Sequence, residues 1–309
     1  MRSSLLDDAE NFASGAAPSR GAAPDRRPAP VGQDDPPRLR LRPTVSTAAI
    51  LAAAGSGSRL GARVPKALVP LAGVPLVVHA ARRLARSGVI DLLVVTVPAA
   101  FVDEFRTLLD GADLALPVTL TVGGASRQAS VAAALAGLPP GVDVVLVHDA
   151  ARALAPPSLV ARVAAAVLSG QRAVVPGAPV TDTIVQVGPG GSPAALEVVA
   201  NPDRMTLRIV QTPQGFDRAV LDRAHTAAAH RAGDEAGSAT DDASLVAALG
   251  EAVHVVPGDA DAAKITTERD LALAELALAE LVRAQVSATE SAVEVATESA
   301  AELAAGQAR

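Results

Sequence analysis

Cysteine is absent from the 309 residues. Disulfides, thiolate metal centres and cysteine nucleophiles are therefore excluded. The five histidines (His79, His148, His225, His230, His254) are scattered without a short ligand spacing, so no histidine zinc site is expected. No block of basic residues suggests a nucleic-acid arm, and the formal charge is −6, which argues against a polyanion track. No uninterrupted apolar run is long enough to span a bilayer. The opening MRSSLLDDAENFASG turns acidic within a few residues and lacks a long apolar stretch, unlike a secretory signal. The expectation is a cytoplasmic protein with neither nucleic acid nor membrane as partner.

Lysine is nearly absent too. Lys66 and Lys264 stand alone among 27 lysines and arginines. A lysine kept against such a bias suits chemistry that arginine serves less well, such as a compact point charge against phosphate. For either lysine alone, a surface position by chance is the simpler reading.

Half of the residues are apolar, enough for a substantial core. Residues 1–43 are rich in Pro, Arg, Asp, Ser and Gly and read as a disordered tail; residues 283–309 form an Ala/Glu-rich tail. Between them, residues 44–282 alternate strand and helix patterns. Strands are predicted at 45–53, 92–97, 118–122, 144–147, 173–175 and 252–256. Helices are predicted from 77 to 84 and at 101–109, 126–138 (Ser126 as N-cap), 158–168, 217–232 and 241–249, with a last one from about 267. Such alternation implies an α/β, Rossmann-like fold with a mostly parallel sheet. Residues 181–212 break the rhythm. Ile184, Val185 and Val187, the turn signal GPGGSP, and Leu196, Val198 and Val199 read as a β-hairpin that projects from the core.

Two segments suggest chemistry. Ala53, Ala54, Gly55, Ser56, Gly57, Ser58 and Arg59 follow the first strand and lead to Pro65 and Lys66. Glycines let backbone amides approach phosphate, and Arg59 and Lys66 can neutralise it. The loop matches neither the P-loop pattern nor the dinucleotide fingerprint, and alone it fits a plain strand-to-helix turn as well. The second segment, Val147 to Arg152, ends the fourth strand. Asp149 there faces the same crevice, either as a Mg²⁺ ligand or as a cap of the next helix. His148 should point to the opposite face and is left out of the catalytic set.

AAGSGSRLGARVPKAL, GGASRQASV, VHDAAR, PVTDT, NPDR, QTPQGF, ATDDAS and DAAKIT occur in this order. The set resembles the 2-C-methyl-D-erythritol 4-phosphate cytidylyltransferases of the non-mevalonate isoprenoid pathway, across residues 46–280. The resemblance implies CMP transfer from CTP to that polyol phosphate with Mg²⁺ as cofactor. Ribitol 5-phosphate on the same scaffold, or nucleotide binding without turnover, stands as the alternative. It implies Arg59, Lys66 and Lys264 as catalytic residues. Ala53, Ala54, Gly55, Ser56, Gly57, Gly124, Ala125, Ser130 and Asp149 would bind nucleotide, Asp149 also holding the metal. Thr183, Arg204, Thr212, Thr240 and Asp241 would meet the acceptor, with Arg127 and Arg152 in support. It further implies a homodimer through a hairpin arm at about 181–212, with Arg204 serving the partner's acceptor pocket.

Overall fold

Residues 46–55, 64–192, 195–233, 237–284 and 286–287 are described by a computed structural model. The N-terminal tail, residues 288–309, and Ser56, Gly57 and Arg59 of the glycine loop lie outside these. The chain starts β1 (Ser46–Ala52), passes a minimal hairpin of β2 (Pro70–Leu71) and β3 (Val74–Pro75), and enters α1 (Leu76–Ala85). Then come β4 (Leu92–Val97), α2 (Val102–Asp110), β5 (Val118–Val122), α3 (Arg127–Ala136), β6 (Val142–Asp149), α4 (Pro157–Leu168) and β7 (Ala173–Pro179). A second hairpin follows, β8 (Gln186–Ser192) and β9 (Ala195–Ala200), then β10 (Arg208–Val210), β11 (Gln214–Asp217), α5 (Arg218–Ala227), α6 (Asp242–Ala248) and β12 (His254–Pro257). Residues 268–284 form the final helix, α7.

The main sheet runs β10-β7-β11-β6-β1-β4-β5, with β12 also paired to β7. β1 lies parallel between β4 and β6, and β4 pairs parallel with β5. Its residues explain this position: Ala48, Ala49, Ile50 and Leu51 carry no charge and are wholly buried, as a strand covered on both faces must be. Alternate residues feed opposite faces. Ala49, Leu51, Leu93, Val95 and Leu146 pack with α1, α2 and α4. Ala48, Ile50, Val94, Val145 and Val147 pack with α3, α5 and α6. The doubly wound arrangement expected from the alternation is therefore present.

Two predicted features differ. β11 lies antiparallel between β6 and β7, at residues where the sequence pattern predicts no strand. Gly215 is what admits it: a Cβ there would lie 2.7 Å from Val163 Cγ1 and 2.9 Å from Val167 Cγ2 of α4. The segment 181–212 is also not wholly hairpin. β8 and β9 form a separate two-stranded sheet, but β10 returns to pair antiparallel with β7. The glycines of the GPGGSP turn signal sit within β8, and the register shifts between Val187 and Gly191.

Candidate active site

The carboxyl ends of the parallel strands open onto a cavity of about 470 Å³. The order in which strands are added reverses at β1, which has β4 on one side and β6 on the other, all parallel, and crevices at such switch points are where open α/β sheets bind ligands. Ala52, Ala53, Ala54 and Gly55 line it from β1, Thr96 from β4, and Gly124, Ala125, Ser126, Arg127 and Ser130 from the β5–α3 turn. Asp149 and Ala150 line it from β6, and Lys66 and Lys264 enter from separate loops. Both lysines of the chain thus border one cavity.

Local geometry fixes each group. The β5–α3 turn passes so close to its neighbours that a Cβ on Gly123 would sit 2.4 Å from Ala54 Cβ. Ser126 caps α3 by accepting from Ala129 N–H at 3.1 Å, as expected of an N-cap serine. Ser130 accepts from Gly124 N–H at 3.1 Å and donates to the Ser126 carbonyl at 2.9 Å, so its hydroxyl shapes the loop. Lys264 is placed by two ties to the turn after β6. Ile265 N–H donates to the Ala151 carbonyl at 2.8 Å, and Arg152 donates to the Ala262 carbonyl at 2.7 Å.

Asp149 sits at the centre of the charges. One carboxylate oxygen accepts from Arg127 Nε at 3.0 Å and the other from Lys264 Nζ at 2.8 Å. Arg127 reaches on to Asp242, 2.7 Å away. Burial alone would raise the Asp149 carboxyl's pKa; Arg127, and then Lys264, outweigh it and hold the group well below the usual carboxylate range. Asp242 behaves in the same way: burial opposes its ionisation, and Arg127 and then His225 overcome that. Both therefore stay ionised, and removing one member of such a buried pair costs about 3–5 kcal/mol. The capping reading of Asp149 fails, because its carboxylate holds two cations while α4 begins at Pro157 without a side-chain cap.

His148 points away from the cavity, as the strand alternation required. Its Nε2 meets the Arg152 carbonyl at 3.2 Å, and its Nδ1 meets the Thr212 hydroxyl at 2.9 Å. A carbonyl only accepts, so Nε2 carries the proton and Thr212 donates to Nδ1. Burial lowers this histidine's pKa from 6.5 to about 4.

Residues 47–280 match the IspD family model, 2-C-methyl-D-erythritol 4-phosphate cytidylyltransferase. The chain belongs to this family. It is 46% identical over 258 residues to the 2-C-methyl-D-erythritol 4-phosphate cytidylyltransferase of Streptomyces avermitilis, covering 82% of this chain and 96% of the relative. To the Streptomyces coelicolor protein of the same name it is 48% identical over 241 residues, 77% of this chain and 87% of that one. The crystal structure of the Thermus thermophilus enzyme of that name is 35% identical, with a TM-score of 0.58, and the match covers 75% of this chain and 98% of that one.

The residues that the family resemblance singles out divide into groups. Those of the nucleotide set within the described residues line the cavity together with both lysines and Arg127. Thr183, Arg204, Thr212, Thr240 and Asp241 lie outside its lining. Thr212 is buried, and its hydroxyl also accepts from Asp149 N–H at 3.1 Å, so it anchors the β6 end. Asp241 caps α6 by accepting from Ser244 N–H at 2.9 Å and also accepts from Gln214. Arg204 donates to the Thr181 carbonyl at 2.7 Å near the base of the hairpin. Sequence reasoning missed Asp242 and His225, which join the charge network from behind. The doubled aspartate was the available signal: once one caps the helix, its neighbour must point elsewhere. For His225 the sequence offers none.

The chemistry of the donors limits how Mg²⁺ could be held. Among the described residues no group of three or more His, Cys, Asp or Glu could hold a metal ion. Asp149, kept ionised, offers one oxygen once Lys264 turns from it. That fits Mg²⁺, which usually takes one or two carboxylates and completes its shell with phosphates and water.

Proposed function

We propose that the chain transfers CMP from CTP to 2-C-methyl-D-erythritol 4-phosphate, giving 4-diphosphocytidyl-2-C-methyl-D-erythritol and pyrophosphate. The observation that supports this most is the meeting of Lys66, Lys264 and Asp149 on one cavity in a chain of this family. A phosphate oxygen of the acceptor attacks the α-phosphorus of CTP. The new P–O bond forms as the bond to the β-phosphate breaks, and its electron pair leaves with pyrophosphate. The acceptor oxygen is already ionised, so no strong base is needed, and catalysis is positioning plus charge neutralisation.

Lys66 and Lys264 receive the triphosphate and the charge that grows on the leaving group, with Arg59 as a third cation. Backbone groups of Gly124 and Ala125 face the base. Asp149 orients Lys264 and, through one oxygen, would hold Mg²⁺, which when bound neutralises the phosphates. Thr183, Arg204, Thr240 and Asp241 belong to the acceptor side, and Arg152 clamps the Lys264 segment. Lys66→Ala tests this reading: pyrophosphate release should fall about a hundredfold or more with the fold intact, and a variant within about threefold of wild type would remove Lys66 from the mechanism.

The same reading includes a homodimer. Val187, Leu196, Val198 and Val199 are exposed on the β8–β9 hairpin, which pairs with no strand of the main sheet. Isolated two-stranded ribbons are marginal in water. A second copy of the same hairpin around a twofold axis would cover those residues and bring Arg204 to the partner's acceptor pocket.

A further inference from the structure

The charges at the site do not end at the cavity wall. Arg127 bonds Asp149 through Nε at 3.0 Å and Asp242 through Nη1 at 2.7 Å. The second oxygen of Asp242 accepts from His225 Nε2 at 2.9 Å. His225 and Asp242 side chains are 5% and 1% exposed, so this end of the chain is sealed from solvent. The order is His225, Asp242, Arg127, Asp149, Lys264. It begins on α5, crosses α6 and α3, and ends on the lysine at the cavity.

A guanidinium held at one point can swing. Held by two carboxylates through different nitrogens, it is fixed in position and in plane. Asp242 is thus what orients Arg127, and His225 is what orients Asp242. Among the described residues the His225 ring pairs only through Nε2, and its Nδ1 is buried without a hydrogen-bond partner. A buried polar atom left in that state is unfavourable, and an apolar side chain would avoid it. The bond to Asp242 is what the imidazole supplies.

We propose that His225 and Asp242 are positioning residues of the cytidylyl-transfer site, acting through Arg127 on Asp149 and Lys264. This rests on the functional reading above. His225→Ala keeps Asp242, Arg127, Asp149 and Lys264 and removes the donor to Asp242, so kcat per folded molecule should fall about tenfold, the scale seen when outer-shell partners are lost, while the KM for CTP stays within about twofold. His225→Gln, whose amide nitrogen can stand at Nε2, should recover most of the loss. Asp242→Asn, which keeps an acceptor for Arg127 but not the charge, should lose more than His225→Ala.

A readout free of turnover separates this proposal from the functional reading. The Arg127 Nε–H, shielded by its bond to Asp149, should give a slowly exchanging guanidinium Nε–H signal by NMR, absent in Arg127→Lys. In His225→Ala it should exchange faster. Wild-type protein inactive with CTP and acceptor would sink the functional reading alone. Unchanged exchange and unchanged kcat in His225→Ala, or a His225→Gln as impaired as His225→Ala, would overturn the positioning role. Should Asp242→Asn fail to fold, the two His225 variants still decide the matter.

Discussion

At the scale of single residues, scarcity proved informative. Both lysines of the chain border one cavity, and Lys264 reaches Asp149 at 2.8 Å. Its point charge can leave the carboxylate for a phosphate with little rearrangement. A guanidinium is larger and would stay forked on Asp149. Lys264→Arg should therefore remain at least about tenfold below wild type in kcat, measured as pyrophosphate release, and a fully active variant would contradict this role. His148 gives a second prediction. Its folded pKa, about 4, lies below the unfolded 6.5. Between these values the unfolded chain binds the proton and the native one does not. Stability from this group is whole above pH 6.5, declines as pH falls towards 4, and is gone below. The effect amounts to about 3 kcal/mol. Urea titrations from pH 7.5 to 4.5 should show a steeper loss for wild type than for His148→Asn, whose amide oxygen can still accept from Thr212. Equal slopes would mean that His148 titrates normally.

At the scale of elements, close approach governs what the sequence pattern did not disclose. β11 fits between β6 and β7 because Gly215 lacks a side chain against α4. Gly215→Ala should destabilise by about 1–3 kcal/mol, as overpacking does, and thermal melting measures it; an unchanged midpoint would mean that α4 yields without cost. The β8–β9 hairpin carries the dimer proposal. Arg204→Ala and Lys66→Ala, each inactive alone, should regain part of the activity when mixed. A mixed dimer then has one site with both lesions and one with neither. Subunit exchange without recovered activity would place Arg204 in its own subunit's site.

For the whole molecule, the legible parts are those with a local cause. β4 and β5 fall at 92–97 and 118–122, as their uncharged β-branched runs predicted, and the cap at Ser126 needs only its own helix. β10 and β11 owe their place to partners far along the chain, and the polar residues of QTPQGF resemble a loop until β6 and β7 are beside them. The charge network is similar: Asp149 and Asp242 come together through Arg127 from distant segments, which no spacing rule links. The lysines stood out by composition and Asp149 by its place at a strand end, whereas neither spacing nor the family likeness singled out Asp242, whose buried contact with Arg127 appears only in the fold. Cytidylyl transfer to 2-C-methyl-D-erythritol 4-phosphate is measured directly by giving purified protein, CTP and a divalent cation that acceptor or ribitol 5-phosphate in parallel. Pyrophosphate and the cytidyl product should form with 2-C-methyl-D-erythritol 4-phosphate, much faster than with ribitol 5-phosphate and not with chelator present; turnover only with ribitol 5-phosphate, or with neither, would contradict it.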